Sequence, residues 1–177
     1  MTPVNIFKEG AHQGLVMGAY LTVMAVASIY TDKMPLLALF ALLMLLCAPI
    51  VVYRYQRHTF VSEEGTTLFS SLWMQGIIIV ICGALICSAV MYVMLQWVRP
   101  DFMASQVEQF IEIYRSQPET ANSEIIEVMQ KALDQGALPL PIDYAMTGFW
   151  LASFLGSVAS LFTAAMAQRK MSRSYQR

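Results

Sequence analysis

Hydrophobic residues fill four long stretches of the chain, and polar segments separate them. No charged residue occurs within residues 13–30, 34–53, 66–98 or 144–168. Each stretch reaches the roughly 17–25 residues that a helix needs to cross a bilayer. Because hydrocarbon cannot satisfy backbone N–H and C=O groups, the crossing segments must be helical. The pattern predicts an all-α polytopic membrane protein with four transmembrane helices, at about residues 12–30, 36–53, 72–98 and 144–168.

The segment between the third and fourth spans, residues 101–143, has a different pattern. It holds eight acidic and two basic residues. Apolar side chains recur there at spacings of three and four on both sides of Pro118, which predicts two amphipathic helices. These positions are Met103, Val107, Phe110, Ile111 and Tyr114 before the proline, and Ile125, Ile126, Met129 and Leu133 after it. We expect an acidic helical hairpin, with Asp143 capping the start of the last span.

The composition agrees with a membrane protein. Charged residues make up only 13% of the chain and hydrophobic residues 57%, whereas soluble domains carry about 25% charged residues. The mean hydropathy is +0.54. The net charge of −1 gives no reason to expect a nucleic acid partner. The lipid bilayer is therefore the first partner that the sequence predicts.

Lysine and arginine predict the orientation of the spans. With four spans, both termini lie on one side together with the connection after the second span. That side carries Lys8, Arg54, Arg57, Arg169, Lys170, Arg173 and Arg177, whereas the other carries Lys33, Arg99, Arg115 and Lys131. The positive-inside rule then places both termini, including a basic tail at 169–177, in the cytoplasm. The acidic segment 101–143 is expected to be extracytoplasmic.

Two rows of small residues predict close contacts between helices. Gly10, Gly14 and Gly18 are four apart in the first span. The last span repeats this spacing at Gly148, Ala152, Gly156 and Ser160. Small residues let helix backbones approach in lipid, where there is little hydrophobic drive between helices. We expect these rows to pack the first and last spans against each other, and the alternative is that they form a homodimer.

Basic residues near the predicted inner surface are the clearest candidate binding groups. They are Arg54, Arg57, His58, Arg169, Lys170 and Arg173. They could contact anionic lipid head groups, or they could act only as determinants of topology. No motif indicates a catalytic residue, a cofactor or a metal site, and none is expected. No acid or base lies well inside a span, which argues against a coupled transporter.

The beginning of the chain allows one further interpretation. Ala25-Val26-Ala27 resembles the cleavage site of a secretory signal peptide. However, Lys8 is the only base before the first span, and Glu9 follows it directly. The glycine row also interrupts the apolar segment. We therefore expect the first span to be retained.

Several local features together resemble a known family. They are the glycine-bearing first span, the tight connection after it, Tyr53-Arg54-Tyr55 at the end of the second span, LFSSLWMQG at 68–76 and Arg99-Pro100-Asp101. The chain resembles a family of small four-span bacterial inner-membrane proteins classed as domain of unknown function 4199. The resemblance implies a bacterial inner-membrane location and a long segment before the last span. It brings no catalytic residues.

The sequence favours a non-enzymatic membrane protein over two alternatives. The first hypothesis is that the protein acts by helix packing and by docking a membrane protein partner through the external segment. A small transporter or channel formed by several copies is the second hypothesis. A membrane enzyme is the third hypothesis. Its only candidate catalytic groups are Arg54, Arg57, His58, Glu63 and Glu64.

Overall fold

The described part of the chain folds into six α-helices. The structure is a computed structural model that describes residues 6–31, 34–63, 65–116, 123–136 and 138–172, and helices are the only regular secondary structure in these ranges. In chain order the helices are α1 (Ile6–Ile29), α2 (Leu36–Ser62), α3 (Phe69–Val93), α4 (Phe102–Ser116), α5 (Ser123–Asp134) and α6 (Pro141–Ser172).

Four helical segments are long and apolar enough to cross a membrane. They are Phe7–Ile29, Leu36–Ser62, Phe69–Val98 and Pro141–Gln168. The predicted fold class, an all-α membrane protein with four spans, is confirmed. The many exposed leucine, valine and phenylalanine side chains of these segments are then the surface that contacts lipid.

The second span extends nine residues beyond its predicted end at residue 53. Val52, Gln56 and Thr59 follow one another at helical spacing and are buried, so the inner face of α2 continues past the basic residues. Arg54 lies on the exposed side of the same turns. The helix ends before Gly65, which has a φ of 76°. Such a conformation favours glycine at a helix C-terminus.

The third and fourth spans each begin three residues before their predicted start, the third at Phe69 and the fourth at Pro141. A π-helical segment, Met94–Val98, continues α3. The N–H of Arg99 donates to the carbonyl of Met94 at 2.9 Å, the five-residue spacing of a π turn. The last helix begins at Pro141, three residues before the prediction, because proline suits the first helical turn, where no intrahelical N–H bond is needed.

The chain divides into two compact units. The first, which we call the span unit, comprises Met1–Met91 and Met146–Arg177. One apolar cluster joins the first three spans through Met17, Leu21, Val52, Ile79 and Val80. A second cluster, of Phe60, Leu72 and Ala164, joins α2, α3 and α6.

The second unit, which we call the hairpin unit, is Tyr92–Ala145. It contains α4 and α5, which pack together as the amphipathic pattern predicts. Ile111 of α4 is buried, and the rings of Phe102 and Tyr144 meet edge to face with centroids 6.4 Å apart. The predicted break at Pro118 lies outside the described residues.

Candidate functional site

Glycines of α1 mark a close contact with α3. A methyl group on the Cα of Gly14 would lie 2.6 Å from the Cβ of Cys82 and 3.3 Å from the carbonyl oxygen of Ile79. Gly10 and Gly18 face the same helix, one turn before and one turn after. The absence of side chains on α1 therefore lets the side chains and backbone of α3 approach its backbone.

The small residues of α6 contact α3 as well. A methyl group on Gly156 would overlap the side chain of Val80. Ser160 lies over Gly76, where an added methyl group would be 2.7 Å from the serine Cβ. Gly148 faces open space, because no described atom lies within 4 Å of a methyl group placed there. Only part of the predicted row therefore contributes to packing within the chain.

The predicted pairing of the first and last spans through these rows is wrong, since the three glycines of α1 face the third span, and so do Gly156 and Ser160 of α6. A bare surface on one helix accepts the side-chain ridges of a neighbour, so Cys82 and Val80 fill the spaces that the glycines leave. The third span also has glycines of its own. A methyl group on Gly83 would lie 3.1 Å from the Cγ of Met17.

A group of buried amides and hydroxyls joins the four spans. We call Gln13, Gln56, Thr59, Gln75 and Ser160 the amide cluster. Gln75 is fully buried, and its amide nitrogen donates to the Gln13 side chain at 2.9 Å and to the Thr59 hydroxyl at 2.7 Å. One side chain of α3 thus ties α1 to α2.

Gln56 completes the amide cluster from α2. Its amide nitrogen donates to the carbonyl of Leu72 at 3.1 Å and to that of Ser160 at 3.2 Å. The side-chain oxygens of Gln56 and Gln75 are buried without a hydrogen-bond partner in the described part of the chain. They remain able to accept a hydrogen bond from a water molecule.

The amide cluster is suited to holding helices together rather than to proton transfer. A carboxylate joins it at one end, where Gln13 donates to Glu9 at 3.2 Å. The cluster itself contains neutral amides and hydroxyls, which are not general acids or bases near neutral pH. Within the described ranges, no three His, Cys, Asp or Glu side chains come together as metal ligands.

Gln56 and Thr59 were missed from the sequence because basic residues surround them. Arg54, Arg57 and His58 indicate the end of a span, so the residues among them were not expected to lie on a buried helix face. The signal that could have revealed it is the helical spacing of Val52, Gln56 and Thr59, on the face opposite Arg54. Intramembrane amides on one such face are typical of contacts between helices.

The candidate lipid-binding residues are only partly described. Arg54 and His58 are exposed on the last turns of α2, four residues apart and therefore on one face. Arg57 is half-buried and donates to the hydroxyl of Tyr53 at 3.1 Å. The side chains of Arg169 and Lys170, and the whole of Arg173, lie outside the described residues.

The hairpin unit has a cleft between its two helices, which we call the acidic cleft. Its volume is about 370 Å³, and Glu108, Ile111, Glu112, Arg115, Gln130, Leu133 and Asp134 line it. Arg115 donates to the side chain of Gln130 at 2.7 Å and so links α4 to α5. Three acids against one base give the cleft a negative charge, and Ile111 and Leu133 add an apolar surface.

Comparison with known protein families gives a match over most of the chain. A family model described as protein of unknown function (DUF4199) matches residues 10–169, which include the hairpin unit, the last three spans and all but the first three residues of the first span. This is the family that the sequence resembles, so that expectation is confirmed. No curated protein and no solved structure matches the chain.

Proposed function

The chain belongs to the family of proteins of unknown function DUF4199, and we propose that it is a non-enzymatic protein of the bacterial inner membrane that docks a partner through its acidic cleft. The span unit anchors it in the bilayer by close helix packing. The single observation that carries this proposal is the lining of the acidic cleft, in which three carboxylates flank the apolar side chains of Ile111 and Leu133.

The orientation of the spans supports an external position for the acidic cleft. Basic residues concentrate on the side of the termini and of the connection after α2. The positive-inside rule assigns that side to the cytoplasm. The hairpin unit, which connects the third and fourth spans, then belongs on the outer side. A partner would meet it there.

The charge of the acidic cleft favours a particular kind of partner. A basic, amphipathic segment of another membrane protein would place its Lys or Arg side chains against Glu108, Glu112 and Asp134 and its apolar side chains against Ile111. Anionic lipid would be repelled by the same carboxylates. A protein partner is therefore favoured over the bilayer surface.

Charge reversal within α5 tests the proposal with a matched control. Asp134 lines the acidic cleft, whereas Glu127 is exposed on the same helix and does not line it. We expect Asp134→Lys to abolish co-purification of a membrane protein that the wild type retains from native membranes, and Glu127→Lys to retain it. The recovered protein should also dissociate as salt is raised, because exposed charges are screened.

Two results would contradict docking at the cleft. One is equal recovery of every partner with both variants, and the other is recovery that does not respond to salt. Melting temperatures of the two variants in detergent, compared with that of the wild type, show whether the hairpin unit is still folded. A loss confined to Asp134→Lys at unchanged melting temperature assigns the effect to the cleft.

A small transporter or channel built from several copies is the second candidate, and the amide cluster is the observation that favours it. Polar groups inside a membrane bundle commonly line substrate or ion paths. Against this, Gln56 and Gln75 are fully buried and their amide nitrogens bond to neighbouring helices. A role in packing explains these contacts without a water-filled path, so docking remains the first proposal.

A further inference from the structure

The span unit contains an apolar cavity to which all four spans contribute. Its volume is about 250 Å³. Its lining residues are Met17, Leu21, Met24, Leu45, Ala48, Pro49, Val52, Val80, Ala152, Leu155, Gly156 and Ala159. None of these side chains carries a hydrogen-bonding group other than the weakly accepting sulfur of methionine. Whatever occupies the cavity must therefore present hydrocarbon to it.

Small residues of α6 create this space. Ala152, Gly156 and Ala159 line the cavity at helical spacing, so one face of α6 withdraws from the neighbouring spans. Gly156 still contacts Val80, which keeps α6 against α3 at that point. The row predicted to pack one span on another thus has a second consequence, which is a recess beside the contact.

The cavity is continuous with the lipid-facing surface. Leu45 of α2 is 54% exposed and Leu155 of α6 is 57% exposed, and both line the cavity. Met17, Val52 and Val80, which also line it, are 3%, 4% and 4% exposed and so form its inner wall. A chain entering from the bilayer would pass Leu45 and Leu155 before reaching the inner wall.

The amide cluster borders one end of the cavity. Gln13, Gln56 and Ser160 each lie four residues, about one helical turn, from a lining residue, namely Met17, Val52 and Gly156. None of the three amide-cluster residues is itself part of the lining. The hydrogen bonds of the cluster thus hold the spans together at that end, and the recess remains apolar.

We propose that this cavity binds one acyl chain of a bilayer phospholipid, inserted between α2 and α6. The occupant is a lipid chain because the cavity meets the protein surface where acyl chains surround the spans and because its wall offers only hydrocarbon contacts. A polar substrate would lose its hydrogen bonds to water without replacement. This site is separate from the acidic cleft and does not depend on the docking proposal.

Photo-cross-linking tests the site on the full chain. The protein is reconstituted into phosphatidylcholine vesicles that contain a small fraction of phosphatidylcholine with a diazirine at the end of one acyl chain. After irradiation, modified residues are mapped by mass spectrometry. We expect adducts on the inner-wall residues Met17, Val52 and Val80, in addition to adducts on exposed positions of the spans.

Cavity-filling variants provide the decisive comparison. Ala152→Leu and Ala159→Leu, made separately, should each remove the inner-wall adducts by occupying the recess. Ala89→Leu is the matched control, since Ala89 is exposed on α3 and does not line the cavity. That variant should keep the wild-type pattern. Melting temperatures identify any variant that has lost its fold, and the other filling variant then decides.

Three outcomes would overturn the proposal. The first is a wild-type pattern in which only exposed residues carry adducts. The second is persistence of inner-wall adducts in both folded filling variants. The third is protection of the inner wall by a second copy of the chain. Chemical cross-linking would then yield dimers, and inner-wall adducts would emerge only when the protein is diluted in lipid.

Discussion

At the scale of single residues, the same residue type has opposite roles at different positions. Gly14 lies where the backbone of α1 meets Cys82, so an added methyl group has no room. Gly148 belongs to an equally regular row but has no described atom within 4 Å of that position. Spacing alone therefore does not identify which glycines permit a close approach; the neighbouring helix decides.

The contrast between these two glycines gives a stability prediction. Gly14→Ala should destabilise the protein by about 1–3 kcal/mol, the range for overpacking a tight contact. Gly148→Ala should be neutral or stabilising by up to about 1 kcal/mol, because alanine is the better helix former. Reversible unfolding in detergent, followed by circular dichroism, measures both. Equal effects at the two positions would contradict the contact between α1 and α3.

At the residue scale, one buried hydrogen-bonding side chain can be recognised from the sequence and another cannot. Gln75 is recognisable as a hydrogen-bonding group because it lies in a long uncharged stretch near the start of its span. Gln56 has the same burial and a similar role, but Arg54 and Arg57 on either side of it resemble the end of a helix. A sequence-based prediction for a residue follows the composition around it. The burial of that residue depends instead on which face of the helix it occupies.

At the scale of elements, hydropathy predicts that the four spans exist. It does not predict which spans pack against each other. A stretch of twenty apolar residues has few alternatives to a transmembrane helix. The choice of neighbour depends on which side-chain ridge fits which bare surface, and a row of small residues accepts many ridges. The predicted pairing of α1 with α6 failed for this reason, and α3 contacts both instead.

Hydrogen bonds between spans give the prediction at this scale. Gln75→Leu keeps a side chain of similar size but removes the bonds from α3 to Gln13 and Thr59. We expect a loss of about 1–2 kcal/mol, near the upper end of values for such bonds in membranes. Gln96→Leu, at an exposed position of the same span, is the control and should change the unfolding free energy little.

Unfolding both glutamine variants in detergent by a graded denaturing surfactant measures this difference. A Gln75→Leu protein as stable as the wild type would mean that apolar packing alone holds α1, α2 and α3 together. An equal loss in Gln96→Leu would instead attribute the effect to the general polarity of the span. Only a selective loss at residue 75 supports the amide cluster as a tie between helices.

At the scale of the whole molecule, the distribution of charge along the chain predicts a topology that the helices themselves do not determine. Four spans can insert with both termini on either side of the membrane. The basic residues of α2 and of the tail outnumber those of the other connections, and the positive-inside rule then selects the orientation with cytoplasmic termini. We therefore expect the hairpin unit and its acidic cleft to be extracytoplasmic.

Cysteine accessibility tests that orientation directly. The natural cysteines, Cys47, Cys82 and Cys87, are free thiols inside the spans and are replaced by alanine. Single cysteines are then introduced at Val128 of α5 and at Ser62, the last residue of α2, both exposed. We expect a membrane-impermeant maleimide to label Val128→Cys in intact spheroplasts, and Ser62→Cys only after lysis. The reverse pattern would place the acidic cleft in the cytoplasm, where an extracytoplasmic partner could not reach it. The acyl-chain site is buried among the spans, so the proposal for that site would be unaffected.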